Sequence, residues 1–264
     1  MERKLGIQEC CLPGVSGCDT LPLLKNAGFT TFFSGFGKKG YILRLKEKAE
    51  QVGIHYDFVH APFVGINSFL QPGVGHLPLY HQIMDCITET AEADVNMIVM
   101  HVSSGWFPPE LCDVALARFD AVVDHAVQKG VKVAFENLRM VGNLAYIMDR
   151  YAKVPEVGFC YDNGHEHCYT ETVPFLELFG KRTICTHIHD NHGRDKNDPW
   201  GDPDIHILPF DGNCDFADMM ARLNKYDYQG TLTLEVCKKA PYQDMSNEAW
   251  LSMCYERLKK ISEM

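Results

Sequence analysis

The chain has 264 residues, 46% of them hydrophobic, a formal net charge of −10 and 11 cysteines. That length and apolar content suffice for one large core, while the acidic balance argues against a surface built to hold nucleic-acid phosphates. No apolar run approaches the roughly 20 residues of a membrane span, and no signal peptide is visible.

The predicted elements alternate short apolar strands with longer amphipathic stretches. A strand is expected over residues 5–9, a helix over 21–27 ending at Gly28, and a second strand over 30–33. A helix over 41–52 stops at Gly53, and a third strand, 56–60, runs into Ala61-Pro62. A loop carrying Pro72, Gly73 and Gly75 leads to a helix over 79–93, then a strand over 96–101 and a helix over 108–128 closed by Gly130. Further on, strands are expected over 131–136, 157–162, 183–189 and 230–235, with helices over 144–151, 173–179, 216–225 and 247–261. Trp250, Cys254, Leu258 and Ile261 mark one apolar face of the last helix. Eight strands separated by helices, with no linker or composition break, predict one (β/α)8 TIM barrel over residues 1–264. An open doubly wound sheet fits less well, because no Gly-x-Gly-x-x-Gly turn follows the first strand. The cysteines are odd in number, lack Cys-x-x-Cys spacing, and are expected to be reduced, mostly buried thiols of a cytoplasmic protein.

In such a barrel the active site lies at the carboxyl ends of the strands. Six strands here end on, or lead into, a metal-type ligand: His60, His101, Glu136, Asp162, His187 and Glu235. Side chains alternate along a strand, so Phe135, Ile188, Leu232 and Leu234 are expected to face the helices while Glu136, His187, His189 and Glu235 face inward. The run from Cys185 to His206 adds Asp190, His192, Asp204 and His206. One histidine at a strand end would be an ordinary hydrogen-bonded group. Imidazoles and carboxylates converging at one barrel mouth, costly to bury without a cation, predict a site for zinc, manganese or iron. His165 is expected in the pocket, whereas His192, His55, His76, His81 and His125 are read as solvated or structural. Trp106 and Phe107 are candidates to wall the pocket against a sugar ring, and Arg139, Arg194 and Lys238 lie near strand ends where they could meet a phosphate.

The motifs His60-Ala-Pro-Phe, His101-Val-Ser-Ser, Phe135-Glu-Asn, Asp162-Asn-Gly-His165, His187-Ile-His-Asp190, Asp204-Ile-His206 and Leu234-Glu-Val span most of the chain. In that order they resemble the xylose isomerase-like barrel superfamily, which holds sugar isomerases and epimerases together with endonuclease IV. The resemblance implies one divalent ion, Mn2+ or Zn2+, on Glu136, Asp162, His187 and Glu235. The two glutamates double as catalytic acid and base, acting on a sugar or sugar phosphate through an enediolate. His60, His101, His165, Trp106 and Arg194 are the expected substrate-binding residues. The endonuclease IV side of the resemblance implies up to three ions, using in addition His60, His101, His165, Asp204 and His206, and phosphodiester cleavage as the alternative reaction. Phe210-Asp-Gly212 stands where that nuclease has Glu-Gly, and the acidic charge argues against nucleic acid as a partner. A third expectation is a sugar-binding barrel that turns over only with a partner subunit, with Trp250 and Met253 of the last helix as its seat. A homo-oligomer is also compatible with the sequence.

Overall fold

The structure, a computed structural model, describes residues 3–264. Strands β1 (Leu5–Gln8), β2 (Thr31–Gly35), β3 (His55–His60), β4 (Met97–Met100), β5 (Lys132–Glu136), β6 (Val157–Asp162), β7 (Thr183–His187) and β8 (Leu232–Leu234) form one parallel sheet. Their order is β7-β6-β5-β4-β3-β2-β1-β8. The two ends meet at a bridge from Ile188 to Leu234. There the Ile188 N–H donates to the Thr233 carbonyl at 2.8 Å and the Glu235 N–H to the Ile188 carbonyl at 3.0 Å. The barrel closes between β7 and β8, next to Glu235.

Helices α1 (Gly17–Ala27), α2 (Tyr41–Val52), α3 (Leu77–Glu92), α4 (Asp113–Lys129), α5 (Val141–Arg150), the single turn α6 (Asn163–His165), α7 (Phe175–Phe179), α8 (Phe216–Lys225) and α9 (Asn247–Ser262) connect the strands. The strand alternation divides the core in two. Phe33, Phe58, Met97, Val99, Ala134, Cys160 and Cys185 fill the barrel interior as one cluster. Their strand neighbours, among them Phe32, Val59, Ile98, Phe135, Ile188, Leu232 and Leu234, belong to the larger cluster shared with the helices.

Several boundaries differ from the sequence expectation for identifiable reasons. The fourth helix starts at Asp113, not at 108, because Pro108-Pro109 offers no N–H and the following residues dock on α5 instead. Asn143 makes that dock, taking the Leu111 N–H at 3.3 Å and donating to the Pro109 carbonyl at 3.0 Å. Pro174 delays the next helix to Phe175, since the residue before a proline disfavours helical dihedrals. The first helix begins earlier than expected, at Gly17, where the Ser16 hydroxyl caps the Asp19 N–H. Trp250, Cys254, Leu258 and Ile261 of α9 are fully buried against the barrel, so the apolar face of this helix lies inside the molecule. Among the described residues no helix is long and apolar enough to cross a membrane.

Candidate metal centre

Three asparagines hold the strand ends in register where the ladder itself stops. Asn137 Nδ2 donates to the Asp162 carbonyl and its Oδ1 takes the Asp162 N–H, both at 2.8 Å, tying β5 to β6. Asn163 repeats the device one strand on, bonding the carbonyl of His189 at 3.0 Å and its N–H at 3.1 Å. Asn191 then donates to the Gly164 carbonyl at 3.0 Å. These side chains act as extra ladder rungs, and they aim Glu136, Asp162, His187 and His189 into the mouth.

Glu136 is the hub. It is buried, with Oε2 3.0 Å from His101 Nε2 and 3.4 Å from His60 Nε2, and Oε1 2.9 Å from His187 Nδ1 and 3.4 Å from His165 Nδ1. His187 Nδ1 also lies 3.2 Å from Glu235 Oε2, across the β7–β8 closure. The rings of Phe33 and Phe58 pack against His187 at 5.0 and 5.5 Å and form the floor. Glu136, Asp162, His187 and Glu235 each offer a ligand atom within 4.8 Å of the others, and His60, His101 and Glu136 form an adjoining group on the same criterion.

A second cluster, His165, His189, Asp204 and His206, joins the barrel to the long loop between β7 and α8. Asp204 Oδ2 is 3.0 Å from both His165 Nε2 and His206 Nε2, and Oδ1 is 3.5 Å from His189 Nε2. His189 also approaches Asp162 Oδ1 at 3.2 Å and stacks on His206 with ring centroids 3.8 Å apart. The sequence placed His189 inward by parity but gave it no role. Its signal was present in the alternation, and its partners Asp204 and His206 come from a loop whose path no local pattern dictates. Gly164 is required here, because a side chain at that position would overlap the His189 ring.

The hydrogen bonds decide what these imidazoles face. His60, His165 and His206 each give the Nδ1 proton to a backbone carbonyl, of Ala61, Asn137 and Glu235 respectively, at 2.8–2.9 Å. In the neutral form each therefore points a bare Nε2 lone pair at a carboxylate oxygen, and only a proton or a cation between them relieves that repulsion. Buried Asp162 Oδ2, His187 Nε2, Asp204 Oδ1 and both ring nitrogens of His189 have no hydrogen-bond partner. Orphaned buried carboxylate oxygens and imidazole nitrogens of this kind fit a divalent cation.

The charges follow the same logic. Burial works against ionised Glu136, yet His187, His101 and His60 outweigh it and hold the carboxyl well below its ordinary range. Asp162 is likewise lowered, burial being overcome by His165 and His189, and His165 with His206 does the same for Asp204. Conversely, burial disfavours charge on His187, but Glu235 and Glu136 push it up to about 10. His206, against Asp204 and Glu235, rises to about 9 in spite of its burial. At His101 burial prevails, and the imidazole is lowered although Glu136 pulls the other way. Protons on the imidazoles thus take the place that a cation would take.

The structure brings together Glu136, Asp162, His187, Glu235, His60, His101, His165, Asp204 and His206. Trp106 and Arg194 stand apart from the ligand centre. Arg194 lies over the Trp106 ring at 4.4 Å and the Trp200 ring at 5.2 Å, and gives Nε to the Pro199 carbonyl at 2.8 Å. Trp106 meets Tyr169, which in turn stacks on His165 at 5.1 Å. Arg139 stacks on Tyr169 and pairs with Asp202 at 2.8 Å, while Lys238 bonds Met245 and Asn247. His192 is exposed. Beside the centre, a cavity of about 360 Å³ is lined by Gln8, Cys10, Phe33, Phe36, His60 and Glu235, among others.

Comparison with known proteins adds three findings. The family model described as xylose isomerase-like TIM barrel matches residues 21–254. An uncharacterized protein of Sinorhizobium fredii is 34% identical over 124 residues, covering 44% of this chain and 37% of that relative, so the match spans little more than a third of its length. Among solved structures, an IolI protein with a bound zinc atom superposes with a TM-score of 0.79 at 15% identity, covering 98% of each chain. The D-allulose 3-epimerase of Methylomonas sp. does so with a TM-score of 0.76 at 13% identity, covering 99% of each.

Proposed function

The chain belongs to the xylose isomerase-like TIM barrel family, and on that footing we propose that it is a divalent-metal-dependent sugar isomerase or epimerase. One observation carries the reading. Glu136, Asp162, His187 and Glu235 offer ligand atoms within 4.8 Å of one another, and Glu235 also lines the adjoining cavity. Mn2+ or Zn2+ suits this mixed imidazole and carboxylate set. When bound, such an ion polarises the carbonyl of a hydroxyketone or hydroxyaldehyde and offsets the negative charge of the enediolate. Two of the structural neighbours, one with bound zinc and one named as an epimerase, support the assignment.

The protein's own groups do the proton transfer. Glu235, which reaches the cavity, takes the proton from the carbon next to the carbonyl. Glu136, which meets the same His187 nitrogen as Glu235 does, returns the proton to the opposite face of the intermediate. His101 and His187 hold its carboxylate in place. The aromatic rings of Phe33, Phe36 and Phe63 line the cavity, limiting water around the enediolate. Incubation with a ketose in D2O tests the assignment. Glu136→Gln and Glu235→Gln should each abolish deuterium uptake next to the carbonyl, and undiminished uptake in both would remove the mechanism.

A second reading, phosphodiester hydrolysis by several ions, is favoured by two further ligand groups flanking the first, His60 with His101 on one side and His165, His189, Asp204 and His206 on the other. The net charge of −10 weighs against a DNA substrate, and Arg139 and Arg194 are engaged in stacking beside the site. Nicking of abasic-site DNA that weakens as salt rises would favour this reading.

A further inference from the structure

We propose that Cys10 and Cys237 form a reversible disulfide at the rim of the cavity that Glu235 lines, an inference that goes beyond the isomerase reading and does not depend on it. The register of the barrel makes the pair. Ile7 of β1 is opposite Leu234 of β8, and three residues further along each chain stand Cys10 and Cys237. The two backbones stay adjacent past the strand ends, since the Lys238 N–H donates to the Cys11 carbonyl at 2.8 Å. Cys10 lies in the single 3-10 turn Glu9–Cys11 that follows β1, and the approach of Cys237 Sγ to its carbonyl brings the two residues within side-chain reach of one another.

The Cys237 side chain is already turned toward Cys10, its Sγ donating to the Cys10 carbonyl at 3.7 Å. Gln8 Nε2 donates to Cys237 Sγ at 3.0 Å and to the Val236 carbonyl at 2.8 Å, which fixes the Cys237 side of the pair. Both cysteines are exposed, so an oxidant reaches them, and Cys10 is part of the cavity wall.

The fold supplies its own control. Cys160 and Cys185 are also direct cross-strand partners, on β6 and β7. They are sealed inside the barrel, at 0% and 1% exposure, where no oxidant arrives. Exposure, not proximity alone, separates the two pairs.

The chemistry is thiol–disulfide exchange with a small-molecule disulfide such as oxidised glutathione. One thiolate attacks a sulfur of the reagent, releasing one reduced thiol and forming a mixed disulfide. The second cysteine then attacks the protein sulfur and releases the second reduced thiol, so two protein thiols are oxidised, one reagent disulfide is reduced to two thiols, and the two protein protons end on those thiols.

The test treats the full chain with oxidised glutathione, blocks remaining thiols, and maps the peptides by mass spectrometry. The expected product is a crosslink between the peptides carrying Cys10 and Cys237, reversed by excess thiol, with Cys160 and Cys185 unmodified. Cys10→Ser and Cys237→Ser should each lose that crosslink and retain glutathione on the cysteine left behind. Independent capping of Cys10 and Cys237 without a crosslink, or no reaction at either while other cysteines react, would overturn the proposal.

Discussion

Glu136 shows how much of this molecule rests on single side chains. It is a buried carboxylate surrounded by four imidazoles, and every one of them reached it from a different strand or turn. Its place at the end of a strand and parity together identified it from sequence, because Phe135 had to face the helices. His189 was pointed inward by the same rule and still carried no meaning until Asp204 and His206 arrived beside it. The same holds for Asn137 and Asn163, whose clamps on β6 and β7 depend on a cross-strand neighbour that a linear pattern does not name. Gly164 offers a sharp check at this scale. Gly164→Ala should push the His189 ring out of its place and cost about 1–3 kcal/mol in urea denaturation. Unchanged stability would mean that the His189 ring has room that the structure denies it.

At the scale of elements, the strands and their order were legible because each apolar run alternates or is bounded by a helix stop, and barrel closure leaves few topologies. The connections were less so. Residues 108–112 look helical by composition, yet the two prolines and the Asn143 side chain hold them in an extended dock. The loop between β7 and α8 was recognised only by its histidines. Its path is set by Asp190, whose carboxylate takes the N–H groups of Asn191, Phe210, Gly212 and Cys214 at 2.9–3.0 Å. Those four bonds run from one charged group to backbone up to 24 residues away, beyond the reach of any local signal. Asp190→Asn places an amide among donors, and should cost about 2 kcal/mol or more while exposing residues 191–214 to limited proteolysis. Cleavage at the wild-type rate would show that something other than Asp190 holds the loop.

For the whole molecule, the barrel gathers charge that the chain keeps far apart, and stability becomes linked to protons and cations. In the metal-free chain His187 is raised to about 10 and His206 to about 9, above the ordinary imidazole value of about 6.5. A raised folded pKa means that the folded state binds these protons more tightly than the unfolded state does. Their contribution is therefore complete below about pH 6.5 and disappears as pH rises through about 9 to 10. An ion held by Glu136, Asp162, His187 and Glu235 displaces the His187 proton, so its affinity should rise with pH. Urea midpoints should accordingly fall more steeply between about pH 6.5 and 10 for metal-stripped protein than for protein with excess Mn2+. Parallel profiles would sever the link between these histidines and the cation. The account stands or falls on where that cation sits, and anomalous diffraction from crystals grown with Mn2+ reads it directly. The strongest peak should lie among Glu136, Asp162, His187 and Glu235, within direct coordination distance of their oxygen and nitrogen atoms. Well-ordered side chains with no peak between them, or a peak only elsewhere on the chain, would contradict it.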